Sequence, residues 1–314
     1  MTTPANAQPE SPDDSQGITP PAMPAIPATR PMYWSVRREL WENRSIYVAP
    51  LVAAAVALFG FLISTLTLPH RMRALSALDP AKQRQAIAVP YSFVAALLIA
   101  TAFLAGVFYC LDALHGERRD RSILFWKSLP VSDRTTVLSK AIVPLVILPL
   151  LIFAVVVATQ LIMLLLSTAV LLGNGLSVAP LWDRLPLFRM TLGLLYSLAA
   201  IALWHAPIYG WLLLVSGWAR RATFLWAVLP LLAISVFERI AFRTWHFAFL
   251  LRYRLIGWFT EGFDFKTHGM GAIDPLAHLT PVNFLSSPGL WIGLVFAAAF
   301  LAAAVRLRRY REPI

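Results

Sequence analysis

The residues that could do chemistry are concentrated in one polar stretch, which reads LDALHGERRDRSILFWKSLPVSDRTTVLSK from Leu111 to Lys140. Its first part is a run of charged side chains: Glu117, Arg118, Arg119, Asp120 and Arg121. Its second part is apolar and includes Leu124, Phe125, Trp126, Leu129 and Pro130. Aromatic and aliphatic anchors beside charges are typical of the centre and rim of a protein interface. The stretch therefore predicts a docking element.

Motifs for catalysis and for phosphate binding are missing from the sequence. Neither H-E-x-x-H nor G-x-S-x-G occurs, which argues against an intramembrane protease. The phosphate loop G-x-x-x-x-G-K-[ST] is also absent. The one cysteine, Cys110, lies in an apolar run, so a cysteine-rich metal site is not expected. We therefore expect neither a catalytic residue, nor a metal, nor a cofactor on this chain.

The elements that position the docking stretch are long apolar runs. Hydrophobic residues make up 58% of the chain and charged residues 14%, against about 45–50% and about 25% in soluble domains. About 20 apolar residues cross a bilayer as a helix. The sequence predicts an all-α integral membrane protein with six transmembrane helices at about 48–68, 91–111, 141–167, 190–219, 222–238 and 288–305.

The region before the first apolar run divides into two parts. Residues 1–31 contain eight prolines and few large apolar side chains, so a disordered cytoplasmic tail is predicted. From Met32 to Tyr47 the pattern favours an amphipathic helix lying on the membrane surface. One face would carry Trp34, Leu40 and Trp41, and the other Arg37, Arg38, Glu39 and Arg44. Residues 32–311 form the predicted transmembrane domain.

The distribution of positive charge predicts the orientation. With six spans, the termini lie on the same side as the second-to-third and fourth-to-fifth connectors, and this side carries 16 of the 27 Lys and Arg residues. Positive residues favour the cytoplasm, so both termini are predicted to be cytoplasmic. Because the basic clusters flank apolar runs, membrane lipids are the expected partners rather than nucleic acid, despite the formal charge of +11.

The end of the docking stretch shows how it would be joined to the membrane. Ser132 can cap a following helix, and Asp133 in its first turn complements the helix dipole. That helix would run through Val137 and Leu138 into the third span. A short docking helix between spans 2 and 3 would therefore be coupled to a membrane helix.

The stretch GERRDRSILFWKSLPVSDRTTVLSK resembles the cytoplasmic coupling region of ABC-2 type permeases. The amphipathic helix before the first span and the count of six spans are similar to that family too. The resemblance implies the permease subunit of an ATP-driven ABC exporter in the bacterial inner membrane. It also implies a dimer with a second permease half, identical or homologous, and separate ATPase subunits that bind ATP and Mg.

In such a complex, each ATPase subunit would receive one coupling helix in a surface cleft. Leu124, Phe125, Trp126 and Leu129 would pack in the cleft. The charges from Glu117 to Arg121 would form salt-sensitive contacts at its rim.

Other interpretations remain open from the sequence. A secondary transporter would normally show inverted repeats and buried charges at mid-membrane. A further alternative is a membrane subunit that uses the conformational changes of an ATPase without transporting a substrate. His205 inside the fourth apolar run is either a packed neutral imidazole or a ligand for a proton or substrate. Glu238 and Arg239 either pair within the membrane or end the fifth span.

Overall fold

The computed structural model describes residues 29–75, 77–120, 131–263 and 279–310. These ranges are helical apart from short turns and one isolated bridge between Phe263 and Leu279. In chain order the helices are α1 (Thr29–Glu42), α2 (Ser45–Thr65), α3 (Leu68–Leu75), α4 (Pro80–Ala113), α5 (His115–Arg119), α6 (Asp133–Ile142), a π-helical turn (Val143–Ile147), α7 (Leu148–Gly173), α8 (Ala179–Arg184), α9 (Leu187–Trp218), α10 (Thr223–Phe242), α11 (His246–Gly262), α12 (Pro281–Ser286) and α13 (Pro288–Tyr310).

Within the described ranges, six helical segments are long and apolar enough to cross a membrane. Span 1 is α2, span 2 is α4 continued by α5, and span 3 consists of α6, the π-helical turn and α7. Span 4 is α9 with α8 before it, span 5 is α10 and span 6 is α13. The protein is thus an all-helical, multi-pass membrane protein, and the predicted number of spans is confirmed.

Several helices extend beyond their predicted apolar limits. The α4 helix has 34 residues and α9 has 32, whereas about 20 are enough to cross the bilayer. The polar connector predicted after span 1 is therefore largely helical, as α3 and the first turns of α4. Pro80 begins α4 because its fixed φ suits the first helical position. Lys82, Gln83 and Arg84 then continue the helix because they are good helix formers.

Span 4 lies at the centre of the bundle. Of the most apolar 18 residues of span 4, 67% are buried, against 17% in span 1 and 11% in span 5. Span 4 approaches span 6 closely at Gly210, where an added Cβ would lie 3.3 Å from the carbonyl oxygen of Ala297. Helices that pack against span 4 are therefore linked to one another through its buried side chains.

Span 3 contains the π-helical turn in a part of the sequence that carries two prolines, Pro144 and Pro149. Pro149 has no N–H, so the carbonyl of Leu145 loses its usual helical donor. The hydrogen-bond ladder shifts locally, and the N–H of Leu148 donates to the carbonyl of Val143. Turns of this kind are single interruptions of an α-helix, and here the helix continues on both sides.

Between spans 5 and 6, the described part of the chain contains two further helices, α11 and α12. Span 5 continues past Glu238 to Phe242. The Glu238 carboxylate accepts hydrogen bonds from the backbone N–H groups of His246 (2.7 Å) and Phe247 (2.8 Å). These donors have no partner within the first turn of α11. Glu238 therefore fixes the start of α11, and no ion pair between it and Arg239 is observed.

The α11 helix packs on span 4 at a position without a side chain. A Cβ added to Gly257 would lie 2.8 Å from Cζ2 of Trp204 and 2.9 Å from Cδ2 of Tyr253. Trp204 is fully buried, so its indole has little freedom to move away. Glycine at position 257 therefore permits the close contact between α11 and span 4.

We expect Gly257→Ala to lower the free energy of unfolding by about 1–3 kcal/mol, because an extra methyl group overpacks this contact. Thermal unfolding of the detergent-purified protein would show a lower Tm. Gly60→Ala is the matched control, because nothing lies within 4 Å of a Cβ added there. Its Tm should be unchanged or higher, since alanine favours helix. A wild-type Tm for Gly257→Ala would contradict the close packing.

Candidate functional site

The predicted docking stretch emerges at one end of the bundle. There α5 ends span 2, α6 begins span 3, and both α1 and the last turns of span 6 come close. We call this the charged end. Residues 121–130 are outside the described ranges, and these include Arg121, Leu124, Phe125, Trp126, Leu129 and Pro130. Their predicted docking role stays a prediction.

Glu117 in α5 is the centre of a group of ionic contacts. Its Oε1 atom accepts a hydrogen bond of 2.8 Å from the guanidinium of Arg38 in α1 and lies 3.1 Å from Nζ of Lys140 in α6. Its other oxygen accepts a hydrogen bond from Arg308 of span 6. One carboxylate therefore connects α1 with spans 2, 3 and 6.

Glu39 in α1 is a second buried carboxylate in the same group. It accepts hydrogen bonds of 2.8 Å from Lys140 and 3.0 Å from the Tyr109 hydroxyl of span 2. Arg38 donates to it as well, at 2.8 Å. Both Glu39 and Lys140 are almost completely shielded from solvent. Lys140 thus lies between the two glutamates and neutralises part of the charge of each.

Arg308 completes the group by reaching the start of span 3. Its Nε donates to Oδ1 of Asp133 at 3.1 Å, in the first turn of α6. Ser132 caps that helix by accepting from the N–H of Thr135 at 3.1 Å, so the predicted cap is confirmed. We call the six charged residues the charge cluster: Arg38, Glu39, Glu117, Asp133, Lys140 and Arg308. Its three cations balance its three anions.

A second set of contacts fastens α5 to the end of span 4. Arg118 donates to the carbonyl oxygens of Gly217 (2.9 Å) and Ala219 (3.2 Å). The last carbonyls of a helix have no partner within it, and the guanidinium supplies one. The Ser216 hydroxyl accepts from the N–H groups of Leu114 and His115. The docking stretch is therefore attached to span 4 in addition to the charge cluster.

The sequence predicts that the five charges from Glu117 to Arg121 make salt-sensitive contacts at the rim of a docking cleft, and the structure describes the first four of them. Glu117 is 8% exposed and Arg118 is 5% exposed, because both are used by partners inside the chain. Neither side chain is exposed within this chain, and the predicted contacts of both with an ATPase stay a prediction. Arg119 and Asp120 are exposed and contact each other at 3.1 Å. These two described charges are available at the surface of the charged end.

A helix, α1, is present in the predicted region, but it ends at Glu42, so Arg44 lies outside it, and the predicted division of its faces is wrong. Glu39 points into the bundle, because Lys140 and Tyr109 provide partners there. Trp34 and Trp41 are exposed, and the Arg37 guanidinium lies over both rings, at 5.1 Å and 4.8 Å from their centroids. The outer face is therefore aromatic and cationic, as in surface helices. Its position on the membrane surface stays a prediction.

One carboxyl group at the edge of the charge cluster has a shifted pKa. Glu42 lies on α1, outside the spans, with an oxygen 3.4 Å from Nε of Arg38. Burial is the main cause that raises the pKa of Glu42, while the charge of Arg38 lowers it. Glu39 contributes in the same direction as burial. Glu42 therefore lies outside the charge cluster, but the charges of the cluster affect its pKa.

His205 lies inside span 4, away from the charge cluster. It is buried, with Nδ1 2.9 Å from the carbonyl oxygen of Ile201 and Nε2 3.1 Å from that of Leu255 in α11. Phe103 of span 2 packs edge-on against the ring. The imidazole therefore bridges span 4 and α11 within a packed core.

Sequence reasoning did not assign Glu39, Lys140, Arg308 and Tyr109 to the site. A signal existed for Lys140, which is the last charge before a long uncharged run, and for Arg308 in the basic segment that ends span 6. Both were interpreted as residues that flank a membrane span. Their partners are far away in the sequence: Lys140 is 101 residues from Glu39. Local pattern could not reveal such pairs.

The contacts of the charge cluster indicate a structural role, in which the cluster connects helices. Each carboxylate is held by cations of the chain, so none is placed as a free base. Within the described ranges, no group of three or more His, Cys, Asp or Glu side chains could hold a metal ion. Comparisons with protein-family models, with curated proteins and with solved structures found no match to this chain.

We expect Lys140→Met to destabilise the protein by about 3–5 kcal/mol, because it removes the buried one of the two cations that Glu39 and Glu117 share. A large fall in Tm in an uncharged detergent would show this. Arg119→Met removes the same charge from an exposed position of the charged end and should leave Tm unchanged.

Glu39→Gln in the Lys140→Met background tests the pairing itself. The double variant should lose less stability than the sum of the single changes, because the two groups interact directly. Strict additivity, or equal Tm values for Lys140→Met and Arg119→Met, would argue against a coupled buried cluster.

Proposed function

We propose that this chain is the membrane-spanning permease subunit of an ATP-driven ABC-type exporter. The observation that carries the proposal is the attachment of the docking stretch at both of its ends. Before residue 121, Glu117 joins α1 and span 6, and Arg118 joins span 4. After residue 130, Asp133 and Lys140 join the same charge cluster.

A subunit that binds residues 121–130 would therefore act on a stiff base. Movement of α5 would be transmitted to span 4 through Arg118 and to span 6 through Glu117. Movement of α6 would enter span 3 directly, because the two are one segment. Buried polar networks whose groups are all satisfied are rigid, so little of the movement would be lost. This arrangement fits a lever between an external motor and the spans.

ATP and Mg would be held by separate ATPase subunits, because the sequence lacks a phosphate loop. The complex would lie in a bacterial inner membrane, and a second permease half, identical or homologous, would complete the translocation path. The charged end would face the cytoplasm, where ATP is available. The excess of Lys and Arg on this side supports that orientation.

Trp126→Ala is expected to uncouple ATP hydrolysis from the permease, because it removes the largest apolar anchor of the docking stretch. The measurement is ATPase activity and copurification after expression with an ATPase encoded in an adjacent reading frame. Both should fall at least about tenfold, as for the loss of a hot-spot side chain. Phe188→Ala is the control, since it removes an exposed aromatic ring at the opposite end of the bundle.

Two results would contradict the proposal. One is full hydrolysis and copurification of Trp126→Ala, which would remove the docking role. The other is substrate transport by the purified chain without any nucleotide hydrolase, which would indicate a secondary transporter. Hydrolysis that depends on the docking stretch but drives no substrate movement would indicate the non-transporting alternative.

The orientation is tested by labelling single cysteines in a Cys110→Ser background. Cys110 is fully buried, so its removal leaves a chain without accessible thiols. We expect a membrane-impermeant maleimide to label Ser177→Cys in intact spheroplasts, and Asp120→Cys only after lysis. Both positions are exposed, and they lie at opposite ends of the bundle. The reverse pattern would place the docking stretch away from ATP and would reject the proposed coupling.

A further inference from the structure

Arg254 in α11 carries a positive charge that its contacts do not neutralise. Its guanidinium donates to the carbonyl oxygens of Trp204 (3.2 Å) and Gly289 (2.9 Å), and it lies 4.9 Å from the centre of the Trp204 indole. All of these groups are neutral. The nearest carboxylate along α11, Glu261, accepts instead from the Tyr253 hydroxyl. Within the described ranges, no carboxylate forms an ion pair with Arg254.

The fold keeps this guanidinium at a defined place between span 4 and span 6. Two glycines of span 6 leave room for it: a Cβ at Gly293 would collide with the guanidinium, and a Cβ at Gly289 would collide with the neighbouring Tyr253 ring. The carbonyls of Trp204 and Gly289 then fix its plane. The position is therefore built by three helices, and does not depend on the side chain of Arg254 alone.

The guanidinium still has donors to offer. Arginine carries five N–H groups, and two of them are used by the carbonyls of Trp204 and Gly289. Arg254 is only partly buried, so one side of it can be reached from outside. A charge held among apolar groups is costly unless a partner of opposite sign is close. The remaining N–H groups therefore favour an anion that the described residues do not supply.

Large exposed apolar side chains lie on the two helices, α11 and span 6, that hold Arg254. Leu250 lies one turn before Arg254 on α11 and is exposed. Trp291 and Ile292, beside Gly293 on span 6, are exposed too. In a multi-pass membrane protein these surfaces face acyl chains. An anion that binds here would therefore be joined to an apolar tail.

We propose that Arg254 binds the phosphate headgroup of an anionic phospholipid, whose acyl chains pack on the apolar side chains around it. Guanidinium and phosphate match in geometry and charge, because two parallel N–H groups can donate to two phosphate oxygens. This lipid-binding site does not depend on whether the chain works with an ATPase. It lies on α11, away from the charge cluster and the docking stretch.

The test uses the full chain, purified and delipidated in an uncharged detergent. Binding of phosphatidylglycerol, of phosphatidylcholine with the same acyl chains, and of inorganic phosphate is measured by native mass spectrometry and by the rise in Tm. The wild-type protein should bind phosphatidylglycerol about tenfold more tightly than phosphatidylcholine, as expected for one charge-assisted contact. Inorganic phosphate should neither bind at matching concentration nor compete.

Arg254→Gln should remove this tenfold preference, and Arg254→Lys should keep part of it. Arg252→Gln is the matched control: it removes the same charge from the same helix, at an exposed position facing away from Arg254. The proposal is overturned if Arg252→Gln and Arg254→Gln lose the preference equally, since that would indicate general electrostatic attraction.

Two results overturn the proposal without any variant. If the wild-type protein does not distinguish the two lipids, there is no anionic headgroup site. If inorganic phosphate competes as well as the lipid, the site binds a free anion and the apolar part of the proposal is wrong. These two measurements on the wild-type protein therefore test the proposal even if Arg254→Gln does not fold.

Discussion

Burial of charge at one end of the bundle is the constraint on which the rest of this structure depends. A carboxylate as deeply buried as Glu39 is tolerated only with a cation and hydrogen-bond donors around it. Those partners come from three other elements, as Arg308, Lys140 and Tyr109 illustrate for the two glutamates. The requirement to neutralise the charges therefore holds α1 and spans 2, 3 and 6 in one arrangement. Replacing one cation would leave the buried carboxylates with less compensating charge, so the elements are coupled.

The two sides of the molecule satisfy their charges in different ways. The charge cluster is complete within the chain, with cations and anions in equal number. At α11, Arg254 has carbonyl and aromatic contacts but no carboxylate among the residues described. The first arrangement suits a rigid connection between helices, and the second suits an external anion. Span 4 joins the two, because Arg118 contacts its end and Arg254 contacts Trp204 near its middle.

Much of the fold could be predicted, because each span depends on local composition. The predicted limits differ mainly where polar residues continue a helix, as at Pro80–Arg84 and beyond Glu238. The site was predicted less well. Glu117 and Arg118 were placed at the rim of a docking cleft because charges beside apolar anchors are typical of an interface, yet both are buried by partners elsewhere in the chain. The faces of α1 were assigned wrongly because the partners of Glu39 are also far away in the sequence.

The sequence by itself determined that six helices cross the membrane, because twenty uncharged apolar residues have no other stable environment. It also determined where span 3 starts, since Ser132 caps a helix through its immediate neighbours. Only the tertiary structure decided which charges meet. Lys140 and Glu39 are 101 residues apart, and Arg308 and Glu117 are 191 residues apart. Such pairs follow from how the helices pack, because an ionic contact depends on distance in space and not on separation along the chain.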